Sequence, residues 1–380
     1  MQKRQSALST VLLIHIKINH WRLCSNLLRQ ENLQCRLYGL RIARCVSKTL
    51  GMKLSQVSSL TFTDPGAFQA AIHGAHVEIL PTKNGDFRAE LTRIAFYRLR
   101  LQRFSEILPR IYRGALTTNR IAFGFLTDSK QPAMRHRGVD VSPSEIITAD
   151  RKEMHRQTSA PCRWGTFSLT PQEFAASCKS LVGRPLTRLS EGGVVRPSPQ
   201  HMSRLLRLHR AAEQLSKTAP DILGNPEVAR ALGNELIQTI IMCASESTLV
   251  KGSVSNTNHS RILAQFEDYI EEHKTVSLYI AEICTSLRVS ERTLRSSCQE
   301  QLGMSPIKYL WLRRMHLARC ALRRSTPRMS TVTRIATSYG FWELGRFAVE
   351  YRSLFGESPS ATLRPPDKDD LFKLKVHQVA

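Results

Sequence analysis

Two segments of the chain repeat each other, and no other feature of the sequence limits its fold as tightly. Ile283 to Pro306 reads ICTSLRVSERTLRSSCQEQLGMSP, and Ile335 to Pro359 reads IATSYGFWELGRFAVEYRSLFGESP. Ile283-Cys284 matches Ile335-Ala336. Leu294, Cys298 and Leu302 match Phe347, Tyr351 and Phe355, and Gly303-Met304-Ser305-Pro306 matches Gly356-Glu357-Ser358-Pro359. Apolar residues four apart line one face of a helix. Each copy is therefore a helix, a tight turn and a second helix, the arrangement of a helix-turn-helix unit. Gly340 gives the second turn the backbone freedom it needs, and Arg288 stands at the corresponding place in the first. The second turn holds one residue more than the first. Ser277 and Ser330 or Thr331 are candidate caps for the leading helices, and Ser290 for the second helix of the first copy.

The polar faces of the second helices suggest what they meet. Arg292, Arg295, Ser296 and Gln299 follow i, i+3, i+4, i+7 and share one face. Arginine suits guanine, glutamine suits adenine and serine several base edges in a major groove. The corresponding positions in the second copy are Gly345, Ala348, Val349 and Arg352, with Arg346 beside them. Gly345 permits close approach, and Ala348 and Val349 can touch thymine methyls. The sequence carries 55 Lys and Arg against 31 Asp and Glu, a formal charge of +24. Such an excess favours polyanions. The expected base-reading residues are thus Arg292, Arg295, Ser296, Gln299, Gly345 and Arg346. Arg313, Arg314 and Arg352 are expected at phosphates. Leu294, Gly340, Phe341, Phe347, Tyr351, Gly356 and Pro359 are expected to hold the two units together. Between the copies, PIKYLWLRRMHLARCALRR predicts a helix about 27 Å long. That length is close to the ~34 Å of one DNA turn, so two reading helices could enter successive major grooves.

In these motifs, residues 260–366 resemble the DNA-binding domain of AraC/XylS-type transcription regulators. The signature lies in RIATSYGFWELGRFAVEYRSLFGESP together with VSERTLRSSCQEQLGMSP. The resemblance implies a seven-helix domain with two helix-turn-helix units, preceded by a regulatory β domain and dimerisation helices. It also implies a ligand-responsive activator, sequence-specific on double-stranded DNA, acting as a homodimer in the cytoplasm with an unknown small-molecule effector and RNA polymerase as further partners.

Upstream, the periodicity is that of strands. RAELTRIAFYRLRLQRF, RIAFGFL, EIITA and WGTFSLT are separated by turn material such as PTKNGD and TDSKQPA. Residues 52–198 therefore predict a β-rich regulatory domain, a cupin-like barrel or a sandwich. Residues 199–246 predict two amphipathic helices, with Pro226 in the first turn of the second. Their apolar faces suit either the chain's own β domain or a dimer interface. The polar stretch 247–259 reads as a linker, residues 1–51 as a basic, disordered extension, and 367–380 as a tail. The fold class is α+β: a β-rich domain with a helical pair, then an all-α double helix-turn-helix domain.

Enzymatic chemistry finds little support. The nine cysteines are scattered singly with no CxxC, which argues against a zinc ribbon or a disulfide scaffold. There is no HExxH, no GxxxxGK[ST] and no GxSxG. His201 and His209, eight apart, are expected at a surface or interface. Cys162 is expected to be structural. No catalytic residue, metal or cofactor is expected. No apolar run approaches the ~20 residues of a membrane span. A DNA-repair methyl acceptor carrying a similar module, and a general DNA-architectural protein, are the competing functions.

Overall fold

The computed structural model describes residues 56–364, apart from 97, 118, 150–153, 187–192, 251–253 and 274–277. The expected extension 1–51 and tail 367–380 lie outside the described residues. Among the described residues thirteen strands form two antiparallel sheets. They are β1 (Gln56–Phe62), β2 (Ala75–Pro81), β3 (Ala89–Ala95), β4 (Arg100–Glu106), β5 (Arg110–Leu116), β6 (Ile121–Leu126), β7 (Met134–His136), β8 (Val139–Val141), β9 (Ile146–Ala149), β10 (Met154–Thr158), β11 (Cys162–Leu169), β12 (Gly193–Arg196) and β13 (Thr248–Val250). One sheet has the order β1-β3-β4-β11-β6-β9-β12-β13, the other β2-β5-β10-β7-β8. Both orders are open, so the domain is a two-sheet sandwich and not a closed barrel.

The segments singled out by alternation form the middle of the larger sheet. RAELTRIAFYRLRLQRF becomes the β3–β4 hairpin, and RIAFGFL becomes β6. Between the sheets, Phe104 stacks on Trp164 with ring centroids 4.0 Å apart, and Tyr112 meets the Trp164 edge at 5.9 Å. Two helices interrupt the strands, α1 (Pro65–Ala71) and α2 (Pro171–Val182). Each starts at a proline behind a capping side chain, Asp64 and Thr170, which is a favourable first turn.

The helical pair is α3 (Pro199–Thr218) and α5 (Pro226–Ser245), joined by the short α4 (Pro220–Gly224). Their apolar faces cover the outer side of the larger sheet: Leu205, Ala212, Leu236 and Ile240 join Phe123, Phe125 and Phe167 in one core. Gly165 of β11 makes the approach possible, because a Cβ there would lie 2.5 Å from His209. His209 is fully buried, edge-on to Phe125 and Phe167. The sequence had placed it at a surface or interface. Burial, with Arg103 nearby, pulls its pKa down to about 3.

The stretch expected as a linker also differs. Thr248–Val250 pairs with β12 as the last strand of the larger sheet, and α6 (Val254–Glu272) begins within it. Polar composition hid a strand that needs only backbone partners. Six more helices follow: α7 (Ile280–Leu287), α8 (Glu291–Leu302), α9 (Pro306–Arg324), α10 (Val332–Ser338), α11 (Leu344–Phe355) and α12 (Pro359–Leu363). Their core includes Phe266, Leu294, Tyr309, Met315, Phe347 and Tyr351, and also Leu80 and Ile111 of the smaller sheet. The layers therefore run helical pair, larger sheet, smaller sheet, helical domain. Among the described residues no helix is long and apolar enough to cross a membrane.

Candidate nucleic-acid interface

The two repeats have the same local construction. In the first, Val289 N–H donates to the Cys284 carbonyl at 3.0 Å; in the second, Phe341 N–H donates to the Ala336 carbonyl at 3.0 Å. The turn residue before each is left-handed, Arg288 at φ 55° and Gly340 at φ 78°. Arginine holds there a conformation that glycine adopts without steric cost. The copies diverge after this bond. Ser290 caps α8 directly, accepting from Thr293 N–H at 3.1 Å. In the second copy Trp342 intervenes, and the cap is Glu343, whose side chain makes no capping bond.

The stripes expected to be structural are inside. Leu294 and Cys298 are fully buried and Leu302 nearly so; Phe347 and Tyr351 match them. Phe341 is half-buried with its ring 4.8 Å from Phe347. Tyr351 Oη donates to Thr362 Oγ1 at 2.9 Å, which ties α11 to α12. Gly303 and Gly356 terminate the reading helices at φ 67° and 76°. Pro359 is buried in the first turn of α12.

Opposite these stripes, Arg292, Arg295, Ser296 and Gln299 are all exposed on α8. Arg295 is held by Glu291 at 2.8 Å, an exposed pair that a base edge or phosphate can replace at small cost. On α11, Gly345, Arg346 and Arg352 are exposed, and Ala348 is half-buried. Arg346 pairs with Glu350 at 2.8 Å. Glu350 also accepts from Trp311 Nε1 at 2.7 Å, so the spacer helix α9 braces the second reading helix.

Arg313 does not belong at a phosphate. It is 2% exposed, with Nη2 2.8 Å from Glu271 and 3.4 Å from Glu78 of β2. Burial works against its charge, but Tyr309 and the acidic groups around it prevail and raise its pKa. A guanidinium so enclosed cannot reach DNA while the helical domain stays docked. Arg314 is half-buried, 3.5 Å from the Leu278 carbonyl. On the spacer helix Tyr309, Leu312 and Met315 are buried, whereas Ile307 is 60% exposed.

Sequence reasoning missed the contact that encloses Arg313. Glu267 of α6 is fully buried, and its carboxylate takes His155 Nε2, Arg113 Nε at 2.9 Å and the Tyr309 hydroxyl. Burial alone would raise its pKa; His155 first, then Arg113, outweigh that and lower it. His316 Nε2 lies 3.0 Å from the Pro81 carbonyl, and Arg323 pairs with Asp64. Strand β10 and the loop after β2 reach the ends of the two reading helices. A Cβ on Gly303 would meet Gln157 at 2.5 Å, and one on Gly356 would meet Asn84 at 3.2 Å. A run of helical sequence gives no signal for partners more than a hundred residues away.

Two helix-turn-helix units on a rigid spacer, each showing an exposed face at the same place, find their relatives among regulators. A model described as a helix-turn-helix domain matches residues 283–365. The chain is 31% identical over 134 residues to XylDLEGF operon transcriptional activator 2 of Pseudomonas putida, covering 35% of this chain and 81% of that one. The chain belongs to the AraC/XylS family of transcription regulators. The family is one of regulators and not of enzymes. It is also 42% identical over 97 residues to the "Probable thc operon regulatory protein" of Rhodococcus erythropolis, covering 26% of this chain and 29% of that one. The chain thus spans less than a third of that relative's length. Among solved structures, the AraC-like transcriptional activator CuxR is similar over 74% of this chain and 100% of its own, at 14% identity and a TM-score of 0.37.

Proposed function

We propose that this member of the family is a cytoplasmic, effector-responsive activator that binds a specific double-stranded DNA site through α8 and α11 and acts on RNA polymerase. The observation that supports it best is the exposed row Arg292, Arg295, Ser296 and Gln299 on a helix whose opposite face is buried. In this reading Arg292 and Arg295 supply most direct base contacts, and Arg352 holds a phosphate. Exposed Arg324, Arg328 and Arg334 take the phosphate role expected of Arg313. Residues 260–366 form the DNA-binding domain, and 52–198 the regulatory one.

A small-molecule effector would reach the DNA-binding domain through β10. On that strand Arg156 lies over the Trp164 ring between the sheets, 4.6 Å from its centroid. Its neighbours His155 and Gln157 face α6 and the end of α8. Self-association through 199–246 would use polar surface such as Arg204, Arg230 and Gln238, because the apolar faces lie on the larger sheet. Sedimentation at high concentration tests it: a strict monomer with and without DNA refutes the dimer.

The whole reading is tested by selecting fragments of the source genome bound by the full chain. A regulator favours its site over random DNA by ~10³ or more, and affinity falls steeply with salt. Near-equal binding to all fragments would instead indicate an architectural protein.

A further inference from the structure

We propose that Trp342 is a base-reading residue, forming with Val349 an apolar surface that recognises the 5-methyl group of thymine in the major groove. This rests on the proposed DNA contact of α11 and assigns its specificity.

Trp342 is the residue by which the two copies differ in length. The copies match in sequence and hydrogen bonding as far as Val289 and Phe341; the cap Ser290 then follows at once in the first, whereas Trp342 precedes the cap Glu343 in the second. The inserted side chain is 70% exposed, an unusual state for tryptophan, which is highly buried on average. Val349 is 70% exposed and Leu344 37%. Gly345, one turn before Val349 on the helix, adds no side chain, and a Cβ there would meet nothing within 4 Å, so the surface beside the valine is open. In helix-turn-helix proteins the N-terminal residues of the second helix contact base edges, and Trp342 stands at that end.

The surroundings select the occupant. Arg346 and Arg352 are exposed on α11 and Arg334 on α10, a basic flank suited to a phosphate backbone. Glu343, exposed beside Trp342, repels phosphate at this end and leaves the base edges as its neighbours. Apolar atoms distinguish bases in the major groove chiefly by the thymine methyl. The first unit reads with hydrogen-bonding groups; the second reads with methyl contacts.

The test uses the full chain and a duplex carrying its selected genomic site, with thymidine replaced by deoxyuridine one position at a time. At one or two positions under α11, wild-type affinity should fall about fourfold, the size of one buried methyl group. Trp342→Ala should lose a similar factor on the thymidine duplex and nothing further on the deoxyuridine one, with unchanged melting temperature. Trp342→Phe should recover part of the loss. If the deoxyuridine effect persists in Trp342→Ala, or no such effect exists, the assignment is overturned. If Trp342→Ala binds DNA normally but loses transcription in vitro, the face meets a protein and the assignment is likewise overturned. Arg295→Ala separates the levels. Selective binding that depends on Arg295 but not on Trp342 sinks this inference alone; a wild-type chain without selective binding sinks the DNA reading and this inference with it.

Discussion

The two helix-turn-helix units are one construction with two surfaces. Both bury residues four apart on the second helix, both make the same backbone bond after a left-handed turn residue, and both end on a left-handed glycine. Outside, they part. The first shows two arginines, a serine and a glutamine; the second shows Gly345, Arg346, Val349 and Trp342. The buried pattern is what folds each unit, so it is held in both. The exposed pattern carries no folding role, so each copy has its own. On the proposed reading, hydrogen-bonded selectivity would lie with the first unit, and shape, methyl contact and charge with the second.

The strongest way to break the shared part of that comparison is to truncate the stripe. Phe347→Ala, at a ring 2% exposed, should cost about 3–5 kcal/mol, and Leu294→Ala about 2–5 kcal/mol. Phe341→Ala should cost less than Phe347→Ala, because Phe341 is only half-buried. Urea denaturation of the full chain measures all three. Unchanged stability with lost DNA binding in Phe347→Ala would show that the stripe faces DNA and that the helix is rotated.

The repeat was legible because its signal is local: period, turn and cap fall within 25 residues. The strands of the β3–β4 hairpin were legible for the same reason. The docking of the helical domain was not. Glu267, Arg313 and His316 look like ordinary polar positions of a helix until Glu78, Pro81, Arg113 and His155 are brought against them. Arg313 shows the general difficulty: an arginine on a helix has the same sequence signature whether it faces phosphate or carboxylate. His209 failed similarly, since its burial depends on the space left by Gly165 on a distant strand. Trp342 was passed over because an insertion in a turn has no periodicity to assign it to a face.

A smaller effect sharpens the division of labour. Arg295→Ala should weaken operator binding by about 1–3 kcal/mol and relax specificity at one or two base pairs. Arg352→Ala should weaken all sequences alike and make the salt slope shallower by about one. Binding of both variants to a library of single-base operator variants distinguishes them. If Arg352→Ala changes base preference and Arg295→Ala does not, the roles are reversed, and the extra residue before α11 has turned Arg352 toward the bases.

The smallest effect concerns the turns, where the copies agree in backbone and differ in residue. A non-glycine residue in the left-handed region costs roughly 1–2 kcal/mol, and Arg288 sits there at φ 55°, ψ 41°. Replacing it by glycine removes that strain but adds freedom to the unfolded chain, which costs about 0.5–1 kcal/mol. Arg288→Gly should therefore be neutral or stabilising by up to about 1.5 kcal/mol. Gly340→Ala works in the opposite sense: the native φ of 78° is strained for alanine, and stability should fall by about 1 kcal/mol. The two melting temperatures should move apart while both variants still select the same operator. A destabilised Arg288→Gly would mean that the arginine side chain contributes contacts which outweigh its backbone strain. A neutral Gly340→Ala would mean that the second turn relaxes, and its inserted residue would then be the source of that freedom.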